Sequence, residues 1–99
     1  MTTITFLLEA EEEINFSAQY YNQQAPGLGI DFLEEIEKSL KLIEESPQRR
    51  AIYEENIHKY NMRRFPFSLY YVFEKDLDQI IIIAVAHQKR KPGYWKKRI

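Results

Sequence analysis

The segment with the most chemically capable side chains lies between His87 and Arg98. It combines this histidine with six cations and two large aromatic residues: Lys89, Arg90, Lys91, Tyr94, Trp95, Lys96, Lys97 and Arg98. Cations bind phosphates and aromatic rings stack on bases, so the composition is typical of a nucleic-acid surface. It also suits a protein interface, where tyrosine, tryptophan and arginine supply much of the binding energy. A third interpretation folds Tyr94 and Trp95 back on the protein and leaves the lysines solvated.

A second basic element consists of Arg63 and Arg64, which fall in an alternating segment from Ile57 to Phe65. Alternation predicts a strand, whose successive side chains point to opposite faces. One arginine would then bind an anion on the outer face, and the other would form a structural ion pair beneath neighbouring elements. The pattern does not decide which arginine takes which role. His87, at the end of an apolar run, is more often a hydrogen-bonded structural residue than a catalytic one.

Several other chemistries are excluded by what the sequence lacks. It has no cysteine, which removes disulfides, thiolate metal sites and a cysteine nucleophile. It has no phosphate-binding glycine loop and no HExxH motif, and its two histidines are not spaced as metal ligands. Glu11, Glu12 and Glu13 are consecutive on a predicted helix and point in different directions, so we interpret them as a solvated first turn. We therefore expect no metal and no cofactor.

Charge is divided between the two halves of the sequence. Residues 1–46 carry a net charge of −8 and residues 47–99 a net charge of +7, which predicts a basic face beside an acidic one. The longest apolar run, Ile80 to Ala86, is seven residues long, whereas a transmembrane helix needs about 20. The sequence also lacks the pattern of a signal peptide. We expect a cytoplasmic protein with no membrane association.

The periodicity of apolar residues predicts the elements that position these groups. Two helical stripes, over about 10–24 and 28–46, are separated by a Pro-Gly-Leu-Gly break and predict a helical hairpin. Four strands are predicted at Thr2–Leu8, Ile57–Phe65, Phe67–Glu74 and Ile80–Ala86. The last is continuously apolar, which favours an interior position in the sheet. The layout is a single α+β domain over residues 1–99, β-α-α-β-β-β, with the helical hairpin on one face of a four-stranded, mostly antiparallel sheet and a basic aromatic tail at 88–99.

The order of several short motifs resembles the RelE/ParE superfamily of toxins from type II toxin–antitoxin systems. No single motif is specific, but their combination extends from Phe6 to Arg98. The motifs are Tyr20-Tyr21, Pro26-Gly27-Leu28-Gly29 with Phe32, Ser46-Pro47, Arg63-Arg64-Phe65-Pro66-Phe67 with Tyr70-Tyr71, and Ala84-Val85-Ala86-His87 with Arg90, Pro92, Tyr94, Trp95 and Arg98. The fold of that superfamily is the layout that periodicity already predicts.

The resemblance implies a small toxin that a cognate antitoxin holds inactive. RelE-like toxins cut mRNA on the ribosome, whereas ParE-like toxins, which include plasmid-stabilisation proteins, poison DNA gyrase and are not nucleases. This sequence is more similar to the ParE-like branch, because its helical hairpin is long and its 57–65 segment has few lysines. The target-binding residues would then lie in the tail: Lys89, Arg90, Tyr94, Trp95 and Arg98. A homodimer or a toxin–antitoxin hetero-oligomer is compatible with this interpretation.

Two alternatives are also compatible with these residues. A RelE-like, metal-independent endoribonuclease acting on the ribosome and mRNA would use Arg63, His87, Arg90 and Tyr94 as its catalytic groups, since such a reaction needs a base, an acid and cations for the phosphate. The other alternative is an inactive protein-binding module of the same fold.

The resemblance also implies an apolar groove in which the antitoxin docks. Its candidate residues are Phe16, Tyr20, Tyr21 and Phe32. The first three fall within six residues of one helix, which is more aromatic surface than a single buried stripe can cover. Some of these side chains should therefore face outward and offer a docking site for a helix or an added strand.

Overall fold

The structure is a computed structural model that describes all 99 residues. The chain forms one strand, two helices and then four strands, which is the predicted order with one additional strand. In chain order they are β1 (Thr3–Phe6), α1 (Leu8–Gln24), α2 (Leu28–Glu45), β2 (Ala51–Glu54), β3 (Ile57–Asn61), β4 (Phe67–Glu74) and β5 (Gln79–His87), followed by a 3₁₀ segment at Tyr94–Arg98. The predicted helical hairpin is confirmed to within two residues at each end.

The strands form one mixed sheet in the order β1-β5-β4-β3-β2. β1 runs parallel to β5, and the remaining neighbours are antiparallel. β5 lies between β1 and β4, so the interior position predicted from its apolar run is confirmed. The predicted α+β class is also confirmed.

The sheet has five strands rather than the four that the sequence predicts. The additional strand, β2, is only four residues long and lies at the edge of the sheet, with three of its residues exposed. An edge strand that buries almost nothing needs no apolar alternation, so periodicity carries no signal for it.

The predicted strand from Ile57 to Phe65 ends earlier, at Asn61. Residues 63–66 form a bend that leads into β4, and Pro66 cannot donate a ladder hydrogen bond there. Arg63 and Arg64 therefore both lie in an exposed bend, and the prediction that they occupy opposite faces of one strand is wrong. Arg64 forms an exposed ion pair with Asp31, at 3.3 Å between Nη2 and Oδ2.

Each face of the sheet has its own apolar core. The helices bury the larger core on one face, where α2 contributes Phe32, Ile36 and Ile43. Close approach of the helices requires a glycine at position 29, because a Cβ there would lie 2.3 Å from the Ala18 carbonyl oxygen. The opposite face carries a smaller core that is covered by the 3₁₀ segment, with Trp95 at its centre.

A bulge in β5 distributes its side chains between these two cores. The register against β4 shifts between Tyr70 and Tyr71, and Ile83 is the residue left without a partner. Ile83 and Ala84 consequently both face the smaller core, while Ile82 and Val85 face the helices.

The connection from α2 to β2 is held by two hydrogen bonds from the sheet and by one to α2. The Tyr71 hydroxyl donates to the Pro47 carbonyl at 2.6 Å, and Arg50 Nη2 donates to the Leu42 carbonyl at 2.8 Å. His58 Nδ1 donates to the Arg50 carbonyl at 3.1 Å, and its ring stacks on Tyr71. Burial raises the pKa of Tyr71 to about 12, although the nearby Arg50 opposes the shift.

None of the helices has the length and apolar character that would let it cross a membrane.

The raised pKa of Tyr71 predicts a loss of stability at alkaline pH. The unfolded phenol loses its proton near pH 10, whereas the folded one keeps it to about pH 12. Folding therefore favours the protonated form, and this contribution is complete below pH 10 and is lost as pH rises toward 12. Denaturant titrations at pH 9, 10, 11 and 12 should show a steeper fall in the unfolding free energy for the unmodified protein than for Tyr71→Phe. Tyr20→Phe, at an exposed tyrosine, is the control. If the unfolding free energy of Tyr71→Phe falls with pH as steeply as that of Tyr20→Phe, the raised pKa of Tyr71 is contradicted.

Candidate functional site

The tail returns across the sheet face opposite the helices. The Gln88 amide donates to the Pro66 carbonyl at 2.8 Å, and Gly93, with a φ of +93°, reverses the chain before the 3₁₀ segment. Trp95 then packs against Tyr53 and Tyr70, with ring centroids 5.4 and 4.6 Å away. Trp95 is fully buried, so in the folded chain it has no surface for a direct contact with a target. Trp95 therefore agrees with the interpretation in which the aromatic residues of the tail fold back on the protein.

The carboxylate of Glu13, on α1, is the point at which the tail is fastened to the rest of the fold. Arg98 donates to it through both terminal nitrogens, at 2.9 and 3.0 Å, and the Tyr94 hydroxyl donates to Oε2. The backbone amide of Val85 donates to Oε1 at 3.0 Å. Arg90 Nη1 lies 3.9 Å from Oε2. With a side chain only 16% exposed, Glu13 is a partly buried hub and not the solvated residue that the sequence predicts.

The Glu13–Arg98 pair also bonds to backbone groups of β5 that lie beyond the end of β1. β1 pairs with β5 only as far as Ile82, and the Leu7 amide makes the last bond to that residue. Beyond it, Glu13 accepts the bond from the Val85 amide and Arg98 donates to the Ile83 carbonyl at 3.1 Å. An ion pair between α1 and the tail thereby replaces the missing continuation of β1.

Tyr94 is enclosed between a carboxylate and two guanidinium groups. The Arg90 guanidinium lies 3.4 Å from its ring centroid, and the Arg98 guanidinium lies 5.1 Å away. Burial raises the pKa of Tyr94 far above its usual value, and the hydrogen bond to Glu13 raises it further. The Glu13 hydrogen bond likewise raises the pKa of Arg98. The Tyr94 hydroxyl therefore stays a neutral donor and is not available as a base.

The four residues of the ribonuclease alternative are only partly brought together. Arg90 and Tyr94 share Glu13, and His87 lies at the end of β5 in the same region. His87 Nδ1 accepts a hydrogen bond from the Lys89 amide at 3.0 Å, so the neutral ring carries its proton on Nε2. Arg63 lies in the bend before β4 and makes no hydrogen bond or ion pair with the other three.

A groove with a volume of about 630 Å³ runs between α1 and the end of β5. Phe16 and Tyr20, one helical turn apart, line it and are 74% and 51% exposed. Tyr21 also lines it but is partly buried against Phe65 and Phe67. The remaining lining residues are Glu12, Glu13, Ser17, Phe67, Val85, Ala86, His87 and Arg90. Phe32, predicted with this set, lies in the core under the helices with no exposed surface and does not line the groove.

No cluster of His, Asp and Glu side chains in the chain has the geometry to hold a metal ion. The cations of the tail divide into two groups. Arg90, Lys96 and Arg98 are each paired with a carboxylate of the chain. The side chains of Lys89, Lys91 and Lys97 are exposed and form no ion pair. These three are the unpaired cations of the tail.

The chain matches the family model of the ParE toxin of the parDE type II toxin–antitoxin system over residues 4–92. It belongs to this family. No curated protein matches it significantly in sequence.

Solved structures agree with the family in fold. A chain of the chromosomal ParDE system from P. aeruginosa superposes with a TM-score of 0.75 at 14% identity, over 88% of this chain and 96% of that one. A chain of the intact E. coli RelBE toxin–antitoxin complex gives 0.68 at 19% identity, over 91% and 100%. The isolated E. coli RelE toxin gives 0.67 at 19% identity, over 99% and 96%. At these identities the superpositions establish the fold that this ParE-family chain shares with both branches.

The Glu13 hub in this ParE-family toxin predicts a specific dependence of the tail on one carboxylate. Glu13→Gln keeps the size but removes the charge that both arginines contact, so the unfolding free energy should fall by at least about 2 kcal/mol. Amide hydrogen exchange of residues 93–98 should accelerate as the segment loosens from the sheet. Glu12→Gln, on the same helix but without a partner, is the control. Equal changes in the two variants would contradict a role for Glu13 in fastening the tail.

Proposed function

We propose that this ParE-family toxin is neutralised by a cognate antitoxin that docks in the groove beside α1, and that it inhibits growth by poisoning DNA gyrase through its tail. The family match supports the toxin role and favours the ParE-like branch. Within the target-binding set predicted from the sequence, Lys89 and Arg90 are the exposed members. Trp95 and Arg98 hold the segment that presents them.

The observation that carries this choice of mechanism is the engagement of Arg90, Tyr94 and Arg98 by Glu13. A metal-independent ribonuclease needs groups that exchange protons and cations that face the scissile phosphate. Here the Tyr94 proton is retained by a carboxylate, and the same carboxylate offsets the charge of both arginines. The arrangement favours a rigid surface whose unpaired lysines contact a partner, which supports binding rather than proton transfer as the mode of action.

The ribonuclease remains a second candidate because of one observation: His87 and Arg90 line the same groove. His87, whose Nε2 carries a proton, and the half-exposed Arg90 can both donate hydrogen bonds to a phosphate of a bound RNA. An inactive binding module would keep the groove but lack any toxicity.

The gyrase proposal predicts that charge matters more than acid–base chemistry. Replacing Lys89, Lys91 and Lys97 together by glutamine should weaken gyrase inhibition about tenfold, since each exposed ion pair across an interface contributes a few tenths of a kcal/mol to about 1 kcal/mol. His87→Gln should stay within about twofold of the unmodified protein. Stabilised gyrase–DNA breaks on plasmid DNA are the readout, and the triple change of Lys38, Lys41 and Lys75 to glutamine is the charge-matched control.

Two results together would favour the ribonuclease over the gyrase poison. These are ribosome-dependent mRNA breaks that disappear with His87→Gln, together with an absence of gyrase–DNA breaks. Controlled expression of the chain without the antitoxin, with no arrest of growth, would favour the inactive module.

The antitoxin part of the proposal depends on the exposed aromatic pair. Phe16 and Tyr20 have the i, i+4 spacing that offers one continuous apolar strip to an amphipathic helix or an added strand. Arg90 and His87 at the β5 side of the groove can receive a carboxylate or a carbonyl from the same partner.

Removal of this strip should weaken the complex without removing toxicity. Phe16→Ala and Tyr20→Ala should each raise the dissociation constant for the antitoxin about 10- to 100-fold, as expected for exposed aromatic residues at the centre of an interface. Titration calorimetry with purified antitoxin measures the effect. Ile30→Ala, at an apolar position on α2 that is 59% exposed, is the matched control. A dissociation constant that changes only with Ile30→Ala would move the docking site to α2.

A further inference from the structure

The guanidinium of Arg90 is held in position at the wall of the groove, but none of its donors is used. Its Cζ atom lies 3.4 Å from the centroid of the Tyr94 ring, so the group rests on the face of that ring. The nearest carboxylate oxygen, Glu13 Oε2, lies 3.9 Å from Nη1, which is too far for a hydrogen bond. Arg90 is therefore oriented in advance for a partner that accepts hydrogen bonds.

Glu13 cannot be that partner, because its oxygens are already occupied. Oε1 accepts from Arg98 and from the Val85 amide, and Oε2 accepts from Arg98 and from the Tyr94 hydroxyl. A carboxylate has about four acceptor sites, so no site is left for Arg90. Its single negative charge also balances only one of the two guanidinium groups beside it. The cluster keeps one positive charge, which a further carboxylate or a phosphate would balance.

The opposite side of the groove favours a polypeptide carboxylate over a nucleic-acid phosphate. Glu12 lines the groove one helical turn before Phe16, is exposed and forms no ion pair. A nucleic acid is charged at every nucleotide and would bring phosphates toward Glu12 as well as toward Arg90. A polypeptide can instead present one acidic residue to Arg90, apolar residues to the exposed aromatic pair, and a basic or neutral residue to Glu12.

We propose that the antitoxin segment in the groove carries an acidic side chain that pairs with Arg90, next to the apolar residues that cover Phe16 and Tyr20. This inference rests on the docking of the antitoxin in the groove and adds the chemistry of the segment that docks. The terminal nitrogens of Arg90 donate to both oxygens of the acidic side chain, which fixes the position of the segment in the groove. His87, whose Nε2–H is unused, is a second donor on the same wall.

This pairing covers a target-binding residue while the tail stays folded. Arg98, and not Arg90, makes the hydrogen bonds that hold the tail to Glu13. A partner can therefore use the donors of Arg90 without releasing the tail from the sheet. Since Arg90 and Lys89 are the exposed members of the proposed target-binding set, antitoxin and target compete for Arg90.

Replacement of Arg90 tests the pairing, with the purified antitoxin from the reading frame adjacent to that of this chain as the probe. Arg90→Gln in the full chain should raise the dissociation constant of the antitoxin at least about 30-fold, because one member of a desolvated charge pair is removed. Arg90→Lys keeps the charge but loses the planar fork, so its effect should be smaller. Lys89→Gln is the matched control, since Lys89 is an adjacent exposed cation that does not line the groove. Equal effects of Arg90→Gln and Lys89→Gln would overturn the proposal.

A double-mutant cycle separates pairing from a purely structural role of Arg90. Each Asp and Glu of the antitoxin is replaced in turn by its amide and titrated against the unmodified chain and against Arg90→Gln. One of these replacements should weaken binding to the unmodified chain at least about tenfold and have no further effect on Arg90→Gln. The proposal is wrong if no acidic residue of the antitoxin shows this coupling. It is also wrong if amides 93–98 lose protection in the complex, because the antitoxin would then have displaced Glu13 from Arg98.

Phe16→Ala and Tyr20→Ala distinguish a failure of this inference from a failure of the proposed docking. An antitoxin whose binding depends on Phe16 and Tyr20 but not on Arg90 still docks in the groove without the acidic contact. An antitoxin that does not bind the unmodified chain contradicts both. If Arg90→Gln weakens the binding of a short labelled RNA and leaves the antitoxin unaffected, Arg90 is a phosphate ligand and the proposal is overturned.

Discussion

The pair formed by Glu13 and Arg98 joins two parts of the chain that are far apart in the sequence. One residue lies in the second turn of α1, on the helical side of the sheet, and the other lies in the segment that covers the opposite face. The bidentate geometry fixes both the distance and the orientation of the two side chains, which a single point contact would not do. Because the Val85 amide also bonds to this carboxylate, the pair is tied to the sheet as well as to the helix. Tyr94 can be buried beside this pair only because its hydroxyl has the Glu13 carboxylate as a hydrogen-bond acceptor.

The same carboxylate borders the groove in which the partner is proposed to dock. Glu13 and Arg90 are lining residues of the groove and are also contacts of the tail. A ligand that fills the groove would displace water from a charged pair, and this strengthens the electrostatic attraction within the pair. The groove proposed for the antitoxin and the tail proposed to contact the target therefore have Glu13 and Arg90 in common.

The parts of this fold that bury a periodic apolar face could be predicted from the sequence. β5 and both helices follow from runs and stripes whose burial dominates their local energetics. β2 could not be predicted because it buries little apolar surface. The bend at 63–66 could not be predicted because the alternation of side chains in the sequence continues beyond the last residue of β3 that pairs with β4. Glu13 was missed because its partners lie 72 to 85 residues away, and no local pattern encodes contacts at that range. For Trp95, composition offered both burial and binding, and only the packing against Tyr53 and Tyr70 decides between them.

The parallel pairing of β1 with β5 limits which parts of the chain can fold during synthesis. β1 emerges first, yet its partner strand begins at residue 79, and the fastening of α1 waits for residue 98. At a translation rate of about 5–20 residues per second, the 85 residues from Ile14 to Arg98 take roughly 4 to 17 seconds to add. During that interval the helical hairpin can form, but the sheet edge beside it and the tail cannot. The native tail surface therefore appears only after residue 98 has left the ribosome, however early the helices fold.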